Sequence, residues 1–313
     1  MRICSFLPSG TEILFALGLH DSVMGVTFEC DWPDVASTKA IVVSSKLPHG
    51  LSQGEIDRLV KEFSSRRESL YRLDVERLEE IKPDLIVTQD LCHVCATAPG
   101  DLCDVLPEFS STPQVLTLSP RTISDIWGDI VTVGEATGRA AEARTLVAAL
   151  EDKIARVRTS PQAAAPRVLC LEWLDPPFVA GHWVPEMIAS AGGIDVLGRA
   201  GERSYETDWD TIAASDADLV LAMPCGYYEP EIKKQLATVE FPRKWYSLRA
   251  VREGKVFAID ASSYFSRPGP RIAEGVEVLA KLFHEFQVTA CWQVGFQGET
   301  DRHTTDRPSD SLI

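Results

Sequence analysis

Lys82-Pro83-Asp84-Leu85-Ile86-Val87-Thr88-Gln89-Asp90-Leu91-Cys92-His93-Val94-Cys95 reads as a breaker, a short apolar strand and a loop of unusual chemistry. Proline removes a backbone donor and biases the residue before it away from helix. The apolar run that follows, Leu85–Thr88, suits a strand buried on both faces. The same pattern recurs along the chain. Val23–Thr27 runs into Phe28-Glu29-Cys30-Asp31-Trp32-Pro33. Arg167–Leu171 runs into a stretch from Glu172 to Trp183, and Leu219–Ala222 into Pro224-Cys225-Gly226-Tyr227-Tyr228. Val256–Asp260 runs into Ser262-Ser263-Tyr264-Phe265-Ser266-Arg267. Open α/β sheets bind ligands beyond the carboxyl ends of their strands, so these loops are expected to line one cleft.

Strand and helix alternate on either side of this stretch. Ile3–Phe6, Ala40–Val43 and Gln114–Leu118 read as further strands, and Gly10–Leu17, Gly54–Phe63 and Asp74–Ile81 as helices. Such alternation implies parallel strands with right-handed crossovers. Residues 121–158 are almost wholly helical in pattern, with a break at Thr137-Gly138. Leu146, Leu150, Ile154 and Val157 then form one apolar stripe on a helix over Ala140–Arg158. After Ser160–Pro166 the alternation restarts at Arg167. The predicted fold is α/β: two Rossmann-like lobes with mostly parallel sheets, bridged by a single long helix. The lobes fall at 1–120 and 163–286, the helical segment at 121–162 with the bridging helix at about 140–158, and a disordered tail at 287–313. One continuous helix between lobes is expected to limit hinge motion.

Hydrophobic residues make up 45% of the chain and charged ones 25%, as in a soluble globular protein. A formal net charge of -15 repels phosphate backbones and anionic lipid, which argues against nucleic acid as a partner. No run approaches the ~20 apolar residues of a membrane span, so no membrane insertion is expected. Met1–Pro8 lacks the apolar core of a secretory signal. The expected location is therefore cytoplasmic, or periplasmic or surface-anchored if the chain was trimmed.

Several motifs together resemble a known family. Ser5-Phe6-Leu7-Pro8-Ser9-Gly10-Thr11-Glu12, Asp31-Trp32-Pro33, Leu78–Ile86, Asp175-Pro176-Pro177-Phe178 and Arg267-Pro268-Gly269-Pro270-Arg271 are similar to the class III substrate-binding proteins of ABC importers. Those proteins carry vitamin B12 or iron–siderophores, and the vitamin B12-binding members are nearest in style. The resemblance covers about residues 1–285. It implies a non-catalytic protein with a small-molecule ligand between two lobes. It also implies docking on a permease through one acidic residue per lobe, for which Glu76 fits the first. The second falls near Trp209, with Glu206 and Asp208 beside it. That departure and the lack of an export signal count against docking.

The ligand expected from the resemblance is cobalamin or another corrinoid. Aromatic side chains give broad contact at low entropic cost. Phe28, Trp32, Tyr71, Trp173, Phe178, Trp183, Tyr227, Tyr228, Tyr264 and Phe265 supply them here, although Phe178 and Phe265 could equally pack the lobe interface. His182 could act as an axial ligand to a cobalt or iron centre, or merely bond across the cleft; His93 has the same options. Arg267 is read as a ligand contact, and Arg271 as needing a carboxylate or amide partner, with Glu12 or Asp175 in the protein as suitable as the ligand. Cys30, Cys92, Cys95 and Cys225 end strands that share the expected cleft. Together they could hold zinc or an iron–sulfur cluster, line an organic pocket as free thiols, or include a redox pair. Cys4 and Cys170 read as buried core residues. The alternatives to a corrinoid carrier are a cytosolic metal- or cluster-binding protein or metalloenzyme, and an iron–siderophore-binding importer component. No nucleophile elbow, phosphate loop or dinucleotide fingerprint is present in the sequence.

Overall fold

In the computed structural model, which describes residues 1–90, 111–158 and 165–288, the apolar runs of the first half form one six-stranded sheet. Its strands are β1 (Ile3–Ser5), β2 (Val23–Thr27), β3 (Ala40–Ser45), β4 (Tyr71–Leu73), β5 (Leu85–Gln89) and β6 (Gln114–Leu118). They lie in the order β4-β3-β2-β1-β5-β6. Every neighbouring pair is parallel except β3–β4. Both β1 and β5 are buried along their whole length. That is why they read as continuous apolar runs rather than alternating ones.

The second sheet uses β7 (Arg167–Leu174), β8 (Pro177–Val179), β9 (Ile194–Asp195), β10 (Tyr205–Glu206), β11 (Leu219–Ala222) and β12 (Val256–Ala258). Its path is β10-β8-β7-β11-β12, with β9 also paired to β7. The strands β7, β11 and β12 are parallel, whereas β8 and β10 add an antiparallel edge. Each lobe thus carries a mostly parallel sheet.

Helices α1 (Pro8–Ala16), α2 (Gln53–Arg66) and α3 (Val75–Ile81) belong to the first lobe. Two helices then join the lobes: α4 (Ile123–Ala136) and α5 (Ala140–Arg158). The turn between them passes through Gly138 at φ 71°, a left-handed conformation that glycine adopts without a Cβ penalty. Helix α5 packs on α4 and on α11 (Ile272–Val288), the last helix. The second lobe adds α6 (Val184–Ser190), α7 (Trp209–Ala214), α8 (Glu229–Thr238), α9 (Arg249–Arg252) and α10 (Ala261–Tyr264). Local chemistry sets the helix starts. Pro8 stands in the first turn of α1, and Ser52 and Glu55 form a reciprocal capping box on α2. Asp208 and Asp260 cap α7 and α10. One apolar cluster runs from Ile3 and Leu85 through Ile126, Leu150 and Ile154 to Leu221 and Phe283. It therefore ties both sheets to the connecting helices. No described helix is long and apolar enough to cross a membrane. Of the tail expected at 287–313, residues 287 and 288 belong to the last helix and 289–313 lie outside the described residues.

Asp129 on α4 is half-buried, and among the described residues its Oδ2 has no hydrogen-bond partner. Burial first, and Asp125 second, push its carboxyl up to about 7. The folded protein holds this proton more tightly than the unfolded chain does. Stability therefore falls as pH rises from the ordinary carboxylate range through about 7. Asp129→Asn is expected to flatten that decline and to raise the melting temperature at pH 8 by a few degrees, with little change at pH 4. Thermal melts at the two pH values check it.

Candidate functional site

The two lobes meet through polar side chains at two places. The first centres on Arg267 and Arg271, which sit just before α11. Arg271 holds Glu12 of α1 with two bonds, Nε to Oε2 at 3.0 Å and Nη2 to Oε1 at 2.6 Å. Arg267 donates to Asp31 Oδ1 at 2.6 Å, to the Glu29 carbonyl at 3.0 Å and to Glu12 at 3.4 Å. The Tyr228 hydroxyl also donates to Asp31. Glu12, Glu29 and Asp31 belong to the first lobe; Arg267, Arg271 and Tyr228 belong to the second.

Burial and charge compete throughout this cluster. Burial, the largest influence, lifts the Glu12 carboxyl above its usual range despite both arginines. Burial also acts on Asp31, but bonds from Arg267 and Tyr228 outweigh it and hold that carboxyl below its usual range. Tyr228 is pushed up to about 12, by burial first and then by the Asp31 bond.

The second meeting place lies at the start of α2. The Leu174 N–H, at the end of β7, donates to the Gln53 side-chain oxygen at 2.6 Å, while the Gln53 amide reaches Gln235 on α8. A Cβ on Gly54 would stand 2.7 Å from an Asp175 carboxylate oxygen, so helix and turn approach closely here. Lys61 of α2 bonds Glu206 of β10 at 3.1 Å. Glu206, one of the acids near the expected second docking position, is therefore engaged in a cross-lobe ion pair, and Asp208 caps α7. Glu76 is exposed in the first turn of α3 and edges a groove of about 650 Å³ along β3 and β4. None of the expected ligand residues lines that groove.

Several sequence-selected aromatics gather at the first contact. Trp32 is 47% exposed and Phe28 39% exposed, both flanking Asp31 on the loop after β2. The Arg271 guanidinium lies over the Trp32 ring, 5.1 Å from its centroid. In the second lobe Trp173 and Tyr227 are in tilted contact, with ring centroids 5.9 Å apart. Tyr227 bonds Gln235, which the Gln53 amide also reaches, so the pair borders the second contact, one residue along the chain from Tyr228. Tyr264 is half-buried on α10, and half-buried Phe178 pairs with Trp173 across the β7–β8 hairpin. Tyr71 is half-buried at the start of the edge strand β4, against the small cluster around Phe6 and Leu78.

Other expectations need correcting. The stretch from Glu172 to Trp183 is not one loop at the carboxyl end of β7. The chain turns at Asp175-Pro176 and comes back as β8, until the Ala180 N–H bonds the carbonyl of Cys170 in mid-strand. His182 and Trp183 are carried away from the end of β7 that faces Gln53. Trp183 is buried and donates its indole N–H to the Phe265 carbonyl at 2.8 Å. Phe265 is itself in the core, at 2% exposure. These two are packing residues. His182 is half-buried at φ 50°, and burial, then Arg203 and Arg121, lower its pKa. Gly181 is required beside it, because a Cβ there would meet the Ser204 nitrogen at 2.2 Å.

The cysteine site also changes. Cys30 is buried, with its thiol 3.1 Å from the Thr11 hydroxyl and 3.4 Å from that of Thr27. Burial is the largest influence and raises its pKa, so the thiol is protonated in the metal-free protein. Cys225 is half-buried after β11. Cys92, Cys95 and His93 lie outside the described residues. Among the described residues, no three His, Cys, Asp or Glu side chains come together as a metal site. Cys4 and Cys170 are buried in β1 and β7. The contact that sequence reasoning missed is Asp31 with Arg267 and Tyr228. Asp31 was quoted only within a motif, and its partners are 236 and 197 residues away.

Known proteins share this architecture. The ABC transporter substrate-binding lipoprotein YvrC of Bacillus subtilis is 26% identical over 291 residues, covering 90% of this chain and 80% of its own. A vitamin B12-binding protein of Vibrio cholerae is 20% identical, covering 88% of this chain and 86% of its own. The solved structure of the periplasmic heme-binding protein RhuT from Roseiflexus superposes with a TM-score of 0.66 at 24% identity, over 91% of this chain and 98% of that one. The family model described as periplasmic binding protein matches residues 3–263. The chain therefore belongs to the periplasmic binding protein family, the non-catalytic substrate-binding proteins of ABC transporters.

Proposed function

We propose that the ligand is a metal-bearing tetrapyrrole of the corrinoid type, held between the lobes where Asp31 meets Arg267 and Tyr228. The observation that carries this reading is Trp32. A large aromatic side chain left 47% exposed at a lobe junction, and backed by a guanidinium, offers a broad flat face to a flat ligand. Trp173 and Tyr227 supply apolar area from the other lobe. The vitamin B12-binding relative supports a corrinoid. Heme is the second reading, supported by the heme-binding neighbour and by the two arginines, which suit propionates. An iron–siderophore has less to favour it here, since the aromatic faces suit a flat ring system.

Titrating the protein with cyanocobalamin and, separately, with heme tests the reading through quenching of tryptophan fluorescence. Saturable one-to-one binding of cyanocobalamin is expected. Binding of heme alone would move the assignment to heme, and binding of neither would sink the tetrapyrrole reading.

A further inference from the structure

The two carboxylates that meet the arginines are not equivalent. Glu12 has a side chain only 3% exposed, rises from a regular helix and is held twice by Arg271. Asp31 is 44% exposed and stands on an irregular loop between exposed Phe28 and Trp32. Yet Asp31 is the shortest partner of Arg267, whose own side chain is only 11% exposed. Removing Asp31 would leave a nearly buried cation with a neutral carbonyl, that of Glu29 at 3.0 Å, and one long bond to Glu12, a carboxylate already held twice by Arg271. Buried charge without a partner is costly. The contact therefore resists opening, but its weaker half faces solvent and the ligand aromatics.

We propose that Asp31 is a latch: in the ligand-free protein its bonds to Arg267 and Tyr228 hold the lobes together, and an anionic group on the entering ligand takes its place on Arg267. The first half stands on the cross-lobe geometry alone; the second rests on the tetrapyrrole reading. The motion required is a parting of this rim about α4 and α5, smaller than a domain swing. A ligand carrying a carboxylate restores the charge balance that Asp31 gives up. A neutral ligand leaves Arg267 with only the Glu29 carbonyl and the long bond to Glu12, and meets a penalty.

The protein carries its own reporter of the latch. The Leu174 N–H bonds a side chain of the opposite lobe, so its hydrogen exchange follows lobe opening. Exchange in ligand-free protein is compared between wild type, Asp31→Asn and Asp31→Ala, with Gln53→Ala as the positive control. Both Asp31 variants are expected to speed Leu174 exchange by about tenfold or more while amides of β5 and β11 stay as slow as before. Unchanged Leu174 exchange, or acceleration shared by β5 and β11, would overturn the latch. Binding of heme is then compared with binding of its dimethyl ester, which lacks the carboxylates. Wild type is expected to prefer the free acid by about tenfold, and Arg267→Met to lose that preference. Equal affinity of wild type for acid and ester would overturn the replacement of Asp31 by the ligand. If wild type binds neither porphyrin, the replacement of Asp31 by a ligand carboxylate fails, the cyanocobalamin titration decides the tetrapyrrole reading, and the exchange data still decide the latch.

Discussion

Glu12→Ala is expected to cost about 3–5 kcal/mol of folding stability, because breaking a buried ion pair strands the remaining charge. Here it strands Arg271 and weakens the pairing of Arg267. Arg271 loses both of its bonds to Oε1 and Oε2, and Arg267 loses one, with both guanidinium side chains 11–12% exposed. Asp31 can compensate only Arg267, from the half-exposed side. The pair is nevertheless not a net asset of that size. Burial raises the Glu12 carboxyl in spite of two adjacent cations, so desolvation outweighs the attraction. A raised carboxyl means that the folded state binds the proton more readily, and stability declines as pH climbs through its folded value. Replacing both partners, Glu12→Met with Arg271→Met, is therefore expected to recover most of the loss, as apolar substitution of a buried pair commonly does. Urea melts of the single and double variants check this. A loss below about 1 kcal/mol for Glu12→Ala would show that water reaches the cluster and that Arg271 is not stranded.

The parts of the fold that were legible in the sequence are those whose signal is local. The breaker at Lys82-Pro83 and the apolar runs at Val23, Leu85 and Leu219 found the parallel strands, because strands covered on both faces need uninterrupted apolar residues. Thr137-Gly138 marked the break between α4 and α5, since glycine there takes a left-handed turn. The need of Arg271 for a carboxylate or amide partner was also readable from its place near the start of a helix, where a cation is disfavoured; Glu12 meets it. The antiparallel edge was not readable. β8 and β10 have three and two residues, too few for any periodicity. Missing β8 turned a hairpin into a loop and misplaced His182 and Trp183. The setting of Cys30 was not readable for a related reason. The end of a strand predicts where a residue lies, but not that Thr11 and Thr27 will sequester a thiol.

Removing the exposed aromatics should have the largest effect on ligand binding. Trp32→Ala and Tyr227→Ala are each expected to weaken tetrapyrrole binding about tenfold, near 1.4 kcal/mol apiece, and about 100-fold together. The two rings come from different lobes and do not touch each other in any ring contact, so their losses should add. Trp32→Ala opens no core, whereas Tyr227 packs against the main apolar cluster and its removal also lowers the melting temperature. Trp32 is half-exposed, and Tyr227 is half-buried beside Trp173. Trp183→Phe and Phe265→Leu provide the contrast. Both residues are buried, and the first change removes the indole bond to the Phe265 carbonyl. They should lower the melting temperature and leave affinity within about threefold, because both rings are buried in the core. Titrations with whichever of cyanocobalamin and heme the wild type binds, run beside thermal melts, separate the two sets. If Trp183→Phe proved as damaging to affinity as Trp32→Ala, the ligand would have to lie on the far side of the β7–β8 hairpin, and the cleft at Asp31 and Arg267 would lose its assignment.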